Sequence, residues 1–370
     1  MKKAIYPQAR GFVSLDGAAL AKNFAILRKM ACGARVIAVV KANAYGHGVD
    51  FAVPRLLAAG CDAFAVATPD EALAVRSLAP DALVLVLGYT PPTRACELAH
   101  ARIAQTVFSL DYARALSAQM RQKRDPLAVH LKIDSGMCRL GFSLHDTERI
   151  LTAALLPGLL PRALYTHFPV ADSDAVTTRR SLDAFCSLCA ALAAMGLRLP
   201  AHAANSAALL TLPESRLAAA RPGLALYGIS PVAGEWGLRP VLSLCAPVVQ
   251  IREIVAGTPV GYGADFVAAE PMRVGVLPIG YADGFCRALR DLPLTLLHKA
   301  KEFSVRVLGR ICMDQTMIDL THTPAHVGDT VVLWRDARRP AALLDTIPYE
   351  IFTALSARLD RKEASRDRLL

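Results

Sequence analysis

The sequence lacks any unbroken apolar run of about 18 residues, the length a membrane-spanning helix needs. Its opening, MKKAIYPQARGFVSL, has two lysines but no apolar stretch of signal-peptide length. A cytoplasmic protein with no membrane partner is expected. Aromatic residues are few, at 6%, and the positive charges behind the net +10 are dispersed. Nucleic-acid binding would ask for a basic patch interleaved with rings, so no nucleic-acid partner is expected. The one dense charged stretch, ARLDRKEASRDRLL at the C-terminus, mixes both signs and predicts a solvated terminal helix. A disulfide framework is also missing, because the nine cysteines are scattered and odd in number. Cys186 and Cys189 form a CxxC, but inside the helix-like run AFCSLCAALAAMG, where packing is the simpler role. His322 and His326 flank Pro324, which excludes a helical metal pair, and no metal site is expected.

What is present is a 54% hydrophobic chain of 370 residues with a regular alternation. Short β-branched runs at 36–41, 63–67, 83–87, 103–108, 128–134, 163–167, 201–205 and 217–221 are separated by longer helical stretches. Leu20, Phe24 and Leu27 recur at helical spacing. Thr68, Pro69 and Glu71 read as a capping box with proline at the first helical position, and Gly196 closes a later helix. Eight strands alternating with helices predict an α/β fold of the (β/α)₈ barrel type. A doubly wound sheet would alternate too, but the glycine-rich phosphate turn it usually carries is absent. After about Pro240 the pattern changes to strands such as VLSLCAPVVQIREI, MRVGVLPIGY and DTVVLW, separated by glycine and proline. The expected division is a barrel domain over 1–238 and a mostly β domain over 239–370.

In VIAVVKANAYGHG, five apolar residues run into one cation, Lys41. A strand end is a poor place for an ammonium unless the charge is removed or used. In a barrel the strand C-termini build the active site. The polar residues there are Lys41, Lys132, Asp134, Thr166, His167, Asn205, Ser206 and Arg221. Each has an ordinary structural reading alone; their convergence on one mouth favours chemistry. A desolvated lysine is a nucleophile toward carbonyls, and a Schiff base with pyridoxal phosphate (PLP) would use the charge. In RPGLALYG, Gly223 and Leu224 could open a short helix that receives the phosphate, although 224–227 also reads as a strand.

VKANAYGHG resembles the PLP-lysine signature of bacterial alanine racemases. HLKIDSGMCRLGF, YTHFPVAD, AANS, RPGLALYG, GYGADF, PIGYADGF, GRICMDQTMIDL and IPYEI follow in family order, over residues 10–361. The resemblance implies a PLP-binding barrel, a C-terminal β domain and a head-to-tail homodimer with composite sites. It implies interconversion of L- and D-alanine through a PLP aldimine by two bases: Lys41, which carries PLP, and Tyr262 of the other subunit. By the same resemblance His167 and Arg221 form the network behind the tyrosine, and Arg221 meets the pyridine nitrogen. Tyr45, Ser206, Gly223, Leu224 and Tyr349 match phosphate contacts. Arg139 and Met313 match contacts to the substrate carboxylate. Lys132 matches a lysine carbamylated in many members, where it orients the arginine. Tyr349 and Tyr281 match rings that narrow the entrance.

These roles make physical sense. PLP delocalises the electrons left when the Cα proton departs, and inversion needs groups on opposite faces. A phenol ordinarily ionises near 10, so a tyrosine base needs cationic neighbours. The chain departs from the family where SYGAT is usual: it reads GYGAD, so Asp265 lies three residues from Tyr262 and would oppose a phenolate if it pointed inward. Pro169, Val170, Cys138 and the RLDRKE tail also differ, which leaves serine or another small amino acid open as substrate. A PLP-dependent decarboxylase of the same architecture is the rival reading, but its glycine-triplet phosphate loop and C-terminal cysteine acid are absent. A single-barrel PLP-binding protein would lack the β domain and Tyr262.

Overall fold

The computed structural model describes residues 10–121 and 123–364. They fall into two units: Ala18–Ala44 with Gly48–Arg239, and Tyr45–His47 with 10–17 and 240–364.

The first unit is a closed parallel barrel. Its first strand position is split at Ile37 into Arg35–Val36 and Ala38–Val39. Ala38–Val39 pairs with Ala63–Val66, and Leu83–Val86, Ala104–Val107, Leu127–Asp134, Leu159–Tyr165, Ala201–His202 and Ala219–Ala220 follow in sheet order. Ala219–Ala220 then pairs with Arg35–Val36 and closes the ring. Ile37 keeps the ladder continuous by donating its N–H to the Ala220 carbonyl at 2.8 Å. Ala63–Val66 and Ala104–Val107 are buried along their whole length, as parallel strands sandwiched between a packed interior and a helical shell must be.

Helices fill the return crossings. Gly17–Met30 buries Leu20, Phe24 and Leu27, the residues that share its apolar face. Pro69–Leu78 starts with the full capping box of Thr68 and Glu71. Ala175–Ala194 carries Cys186 and Cys189, both half-buried, and ends before Gly196 at φ +95°. Burial pushes the Cys189 thiol up to about 12, the reverse of a reactive thiol. Leu159–Tyr165 starts four residues before the run expected at 163–167. Pro161 interrupts its apolar pattern, and the ladder shifts register beside it, between Val129 and His130.

The second unit is mostly β. A six-stranded sheet runs in the order Lys301–Val305, Leu294–His298, Thr330–Trp334, Leu242–Pro247, Phe12–Leu15, Asp360–Glu363. A three-stranded sheet joins Gln250–Ile254, Met272–Leu277 and Thr316–Asp319, and Pro259–Val260 pairs with Phe266–Val267 in a small hairpin. The terminal helix expected from the charged tail is corrected here. Asp360–Glu363 is a strand, parallel to Phe12–Leu15. Charge density carries no period, and a sheet edge suits a charged strand as well as solvent suits a helix. Residues 365–370 of that expected helix lie outside the described residues. No helix among the described residues is long and apolar enough to cross a membrane.

Candidate active site

Lys41 opens a turn of unusual hand. Ala42, Asn43, Ala44 and Tyr45 all have φ between 51° and 54°, so four consecutive residues with side chains are left-handed. Each costs about 1–2 kcal/mol relative to the right-handed form. The barrel unit holds its part of the turn by hydrogen bonds. The Ala42 N–H donates to Glu71 Oε1 at 2.6 Å, the Ala44 N–H to the Val40 carbonyl at 2.8 Å, and the Val49 N–H to Asn43 Oδ1 at 2.8 Å. Glu71 Oε2 also accepts from the Ala67 N–H at 2.8 Å. The capping carboxylate of one helix therefore fixes the backbone next to Lys41. Burial lowers the lysine's pKa, the Arg139 charge lowers it further, and Glu71 opposes both.

Lys132 faces the same mouth. Its pKa falls to about 8, first through burial and then through Arg221 and Arg139. The nearby carboxylate does not pair with it. Asp134 instead accepts the backbone N–H groups of Gly136, Met137 and Arg139 at 2.9, 2.8 and 3.1 Å, forming the turn that carries Arg139. Lys132 Nζ donates to the Ile133 carbonyl at 3.4 Å and lies 5.5 Å over the Tyr165 ring. The Arg139 guanidinium makes no ion pair with any described residue and is exposed. His167 is pushed down to about 3, by burial and then by Arg221, Lys132, Arg139 and Lys41 in turn. One imidazole thus feels three of the cations expected at the strand ends, Arg221, Lys132 and Lys41, together with Arg139 from the turn after Asp134.

Arg221 is buried without a carboxylate. Nη1 meets His202 Nδ1 at 2.5 Å, and Nη2 donates to the carbonyls of Thr166 at 2.5 Å and Ala203 at 3.0 Å. Because a guanidinium only donates, His202 accepts on Nδ1 and carries its proton on Nε2. That nitrogen donates to His130 Nδ1 at 2.9 Å. Burial and the Arg221 charge hold both imidazoles neutral, His130 with a pKa of about 4. Tyr165 stacks on His202 at 4.8 Å and lies under Arg221 at 5.0 Å.

The donor set fits PLP. Gly223 and Ala225 donate their N–H groups to Ser206 Oγ at 2.9 and 3.3 Å. Asn205 caps the helix Ser206–Thr211, and a 3₁₀ turn, not a strand, spans Leu224–Tyr227. Hydroxyl and backbone donors at two helical openings are what a phosphate dianion needs. Arg221 offers a permanent donor suited to an unprotonated ring nitrogen, and Lys41 an amine biased toward its neutral, nucleophilic form.

The remaining expected residues belong to the second unit. Tyr45 and Tyr349 rings lie 5.7 Å apart, and burial pushes the Tyr45 phenol upward. Tyr262, Met313 and Tyr281 are exposed, Tyr262 by 72%. Asp265 does not stand as an isolated carboxylate: it pairs with Arg310 through both oxygens, one of them at 2.7 Å, and Arg290 lies 3.8 Å away. The one grouping of metal-ligating types among the described residues is His298, His326 and Asp329. There one Asp329 oxygen already accepts from the His326 backbone at 2.7 Å and lies 2.8 Å from His298 Nδ1.

Residue-type reasoning did not single out Tyr165, His130, His202 or Arg310, and read Glu71 only as a cap. The two histidines occupy inward positions on strands 127–134 and 201–202, and that register was the available signal.

Known proteins resemble this chain throughout. A family model described as alanine racemase, N-terminal domain, matches residues 15–231, and one described as alanine racemase, C-terminal domain, matches 241–363. An alanine racemase of Carboxydothermus hydrogenoformans is 37% identical over 92% of this chain and 95% of its own. The solved alanine racemase of Clostridium difficile 630 superposes with a TM-score of 0.90, at 29% identity and 98% coverage of each chain. That of Bacillus anthracis with bound L-Ala-P superposes at 0.85, with 30% identity over 95% of each.

Proposed function

The chain belongs to the alanine racemase family of isomerases, and we propose that it interconverts L- and D-alanine with PLP, using Lys41 and Tyr262 as bases on opposite faces. The observation that carries this reading is Lys41, whose burial and Arg139 neighbour favour the neutral amine at the end of a barrel strand. PLP, when bound, supplies the electron sink that makes the Cα proton acidic. Lys41 Nζ takes or returns that proton on one face, and the Tyr262 phenol does so on the other. The exposed arginine fork of Arg139 receives the substrate carboxylate, and Met313 matches the family's second contact to that carboxylate. Arg221 would face the pyridine nitrogen with a donor that does not release its proton, and so would leave that nitrogen unprotonated and restrain the side reactions of a stronger sink. Ser206, Gly223, Leu224, Tyr45 and Tyr349 hold the phosphate.

Tyr262 is drawn from a second copy in a homodimer. Its exposed ring, and its place in a different unit from Lys41, support that reading. The carbamate of Lys132 orients Arg139, and the rings of Tyr281 and Tyr349 restrict the pocket to small side chains. The test is a screen of purified holoenzyme against L-amino acids, with chiral detection and carbon dioxide measurement. Alanine is expected to racemise fastest, serine more slowly, and lysine or arginine hardly at all. Carbon dioxide release without D-product would replace the reading with a decarboxylase.

A further inference from the structure

We propose that Asp265 and Arg310 form a clamp that positions Tyr262, and that this clamp rather than the hairpin itself sets where the phenol sits. The proposal rests on the reading of Tyr262 as a base. Asp265 is this chain's own feature, since the family motif it resembles carries threonine there.

The hairpin is too small to fix its own tip. It has two pairs, Pro259 with Val267 and Val260 with Phe266, and proline offers no N–H to the ladder. Its base is anchored, because Val260 belongs to a buried cluster with Ala268, Met272, Val274 and Leu308, and Phe266 packs against it. The tip beyond that cluster turns through positive φ at Gly261 (75°), Gly263 (76°) and Ala264 (50°): the two glycines are conformationally free there, and Ala264 is strained. The Tyr262 ring is 72% exposed and contributes little packing of its own.

Arg310 supplies what the tip lacks. Its guanidinium grips both oxygens of Asp265 and lies flush with the turn, so that a Cβ on Gly263 would come within 3.0 Å of its carbon. The strand of chain behind it is equally close. A Cβ on Gly309 would lie 2.7 Å from the Val260 carbonyl oxygen. Arg290, 3.8 Å from Asp265, adds a second positive charge on the same carboxylate.

The clamp also links two functions. Arg310 is three residues from Met313, and the Cys312 and Met313 carbonyls accept from the N–H groups of Tyr281 at 3.0 Å and Ala282 at 3.1 Å. The tyrosine tip, the segment of the carboxylate-contacting methionine and the entrance tyrosine therefore share one rigid frame. Asp265 and Arg310 are positioning residues, acting on the reaction only through Tyr262.

The experiment uses the holoenzyme with Asp265→Ala, Arg310→Lys and both together. Lysine keeps the charge but loses the fork. Amide hydrogen exchange over 259–267 should quicken several-fold in each single variant, with no further gain in the double variant and no change in the barrel. Because a misplacement of about 1 Å can cost 10²-fold, a partial loosening is expected to lower kcat about 10-fold while KM changes less than about 2-fold. The primary deuterium isotope effect with Cα-deuterated alanine should rise in the one direction in which Tyr262 removes the proton. An isotope effect that changes alike in both directions would mark a general structural defect and overturn the clamp. Unchanged exchange in an enzyme that Tyr262→Phe does inactivate would also overturn the clamp, leaving Tyr262 as base intact. Full activity in Tyr262→Phe would instead overturn the reading on which the clamp rests.

Discussion

Lys132 should exist as its carbamate in air-equilibrated enzyme. Carbamylation requires the neutral amine, whose Nζ attacks carbon dioxide and releases a proton. With the pKa lowered from 10.5 to about 8, about one amine in four is neutral at pH 7.5, against about one in a thousand for an ordinary lysine. The drop, at about 1.4 kcal/mol per unit, amounts to roughly 3 kcal/mol against the protonated form. The sign follows. The folded pKa lies below the unfolded one, so the penalty is full below about pH 8 and is relieved as pH rises toward 10.5. A carbamate relieves it at neutral pH, because it turns the cation into an anion between Arg221 and Arg139, the charges that help expel the proton. The competing partner, Asp134, is occupied by three backbone N–H groups. At fixed dissolved carbon dioxide, the rate of carbamate formation should climb about tenfold per pH unit below 8, with the neutral-amine fraction, and level off above it. Enzyme exchanged into ¹³C-bicarbonate should show one slow-exchanging carbamate resonance that Lys132→Ala removes. Activity should fall in carbon dioxide-free buffer and return with bicarbonate, and small carboxylates should partly rescue Lys132→Ala. Full activity without carbon dioxide, together with no labelled lysine, would refute the argument.

Borohydride treatment of the holoenzyme should abolish the cofactor's absorbance band and fix the label in the peptide containing Lys41; a label on another lysine would overturn the assignment. Glu71→Ala removes the acceptor shared by Ala42, Ala67 and Thr68, and should cost about 1–3 kcal/mol in denaturant unfolding. Glu71→Gln, which keeps a carbonyl oxygen but no charge, should cost less and move the acid limb of cofactor binding to lower pH, since Glu71 raises the Lys41 pKa. Mixing inactive Lys41→Ala and Tyr262→Phe subunits under exchange should restore about a quarter of wild-type activity, because half the dimers are mixed and each has one intact site. No recovery despite proven exchange would exclude a shared site.

The sequence exposed the barrel because parallel strands buried on both faces are largely apolar, and 63–66 and 83–86 stood out for that reason. Leu294–His298 and Phe12–Leu15 were less visible. Both are short; Leu294–His298 forms a hairpin with the adjacent Lys301–Val305, but its other partner, Thr330–Trp334, and the partner of Phe12–Leu15 at Leu242–Pro247 lie far along the chain, where no local period reveals the pairing. The charged residues of 360–363 matched a solvated helix equally well until the edge of the sheet gave them a place. The site was legible where a side chain ends a strand, as with Lys41, Lys132, His167 and Arg221. It was not legible where function depends on who neutralises whom. Asp134, two residues from Lys132, builds the Arg139 turn through its backbone N–H contacts. Asp265 looked like a threat to a phenolate and instead meets Arg310.

The left-handed turn shows how these levels connect. Nothing in KANAY demands four residues at positive φ, and helix propensity alone would favour the opposite hand at both alanines. The turn exists because its N–H groups find fixed acceptors: the Val40 carbonyl on the strand, and a carboxylate delivered by the capping box of the next crossing helix. That helix starts where Thr68 and Pro69 place it, one strand over in the ring. The barrel thereby imposes on the residues after Lys41 a conformation their own preferences reject. Releasing the strain would leave Glu71 Oε1 without the Ala42 N–H and the Val40 carbonyl without the Ala44 N–H. A lysine held at the head of such a turn loses backbone freedom that an ordinary strand-end lysine keeps, and this preorganisation comes from residues 26 to 30 positions further along the chain.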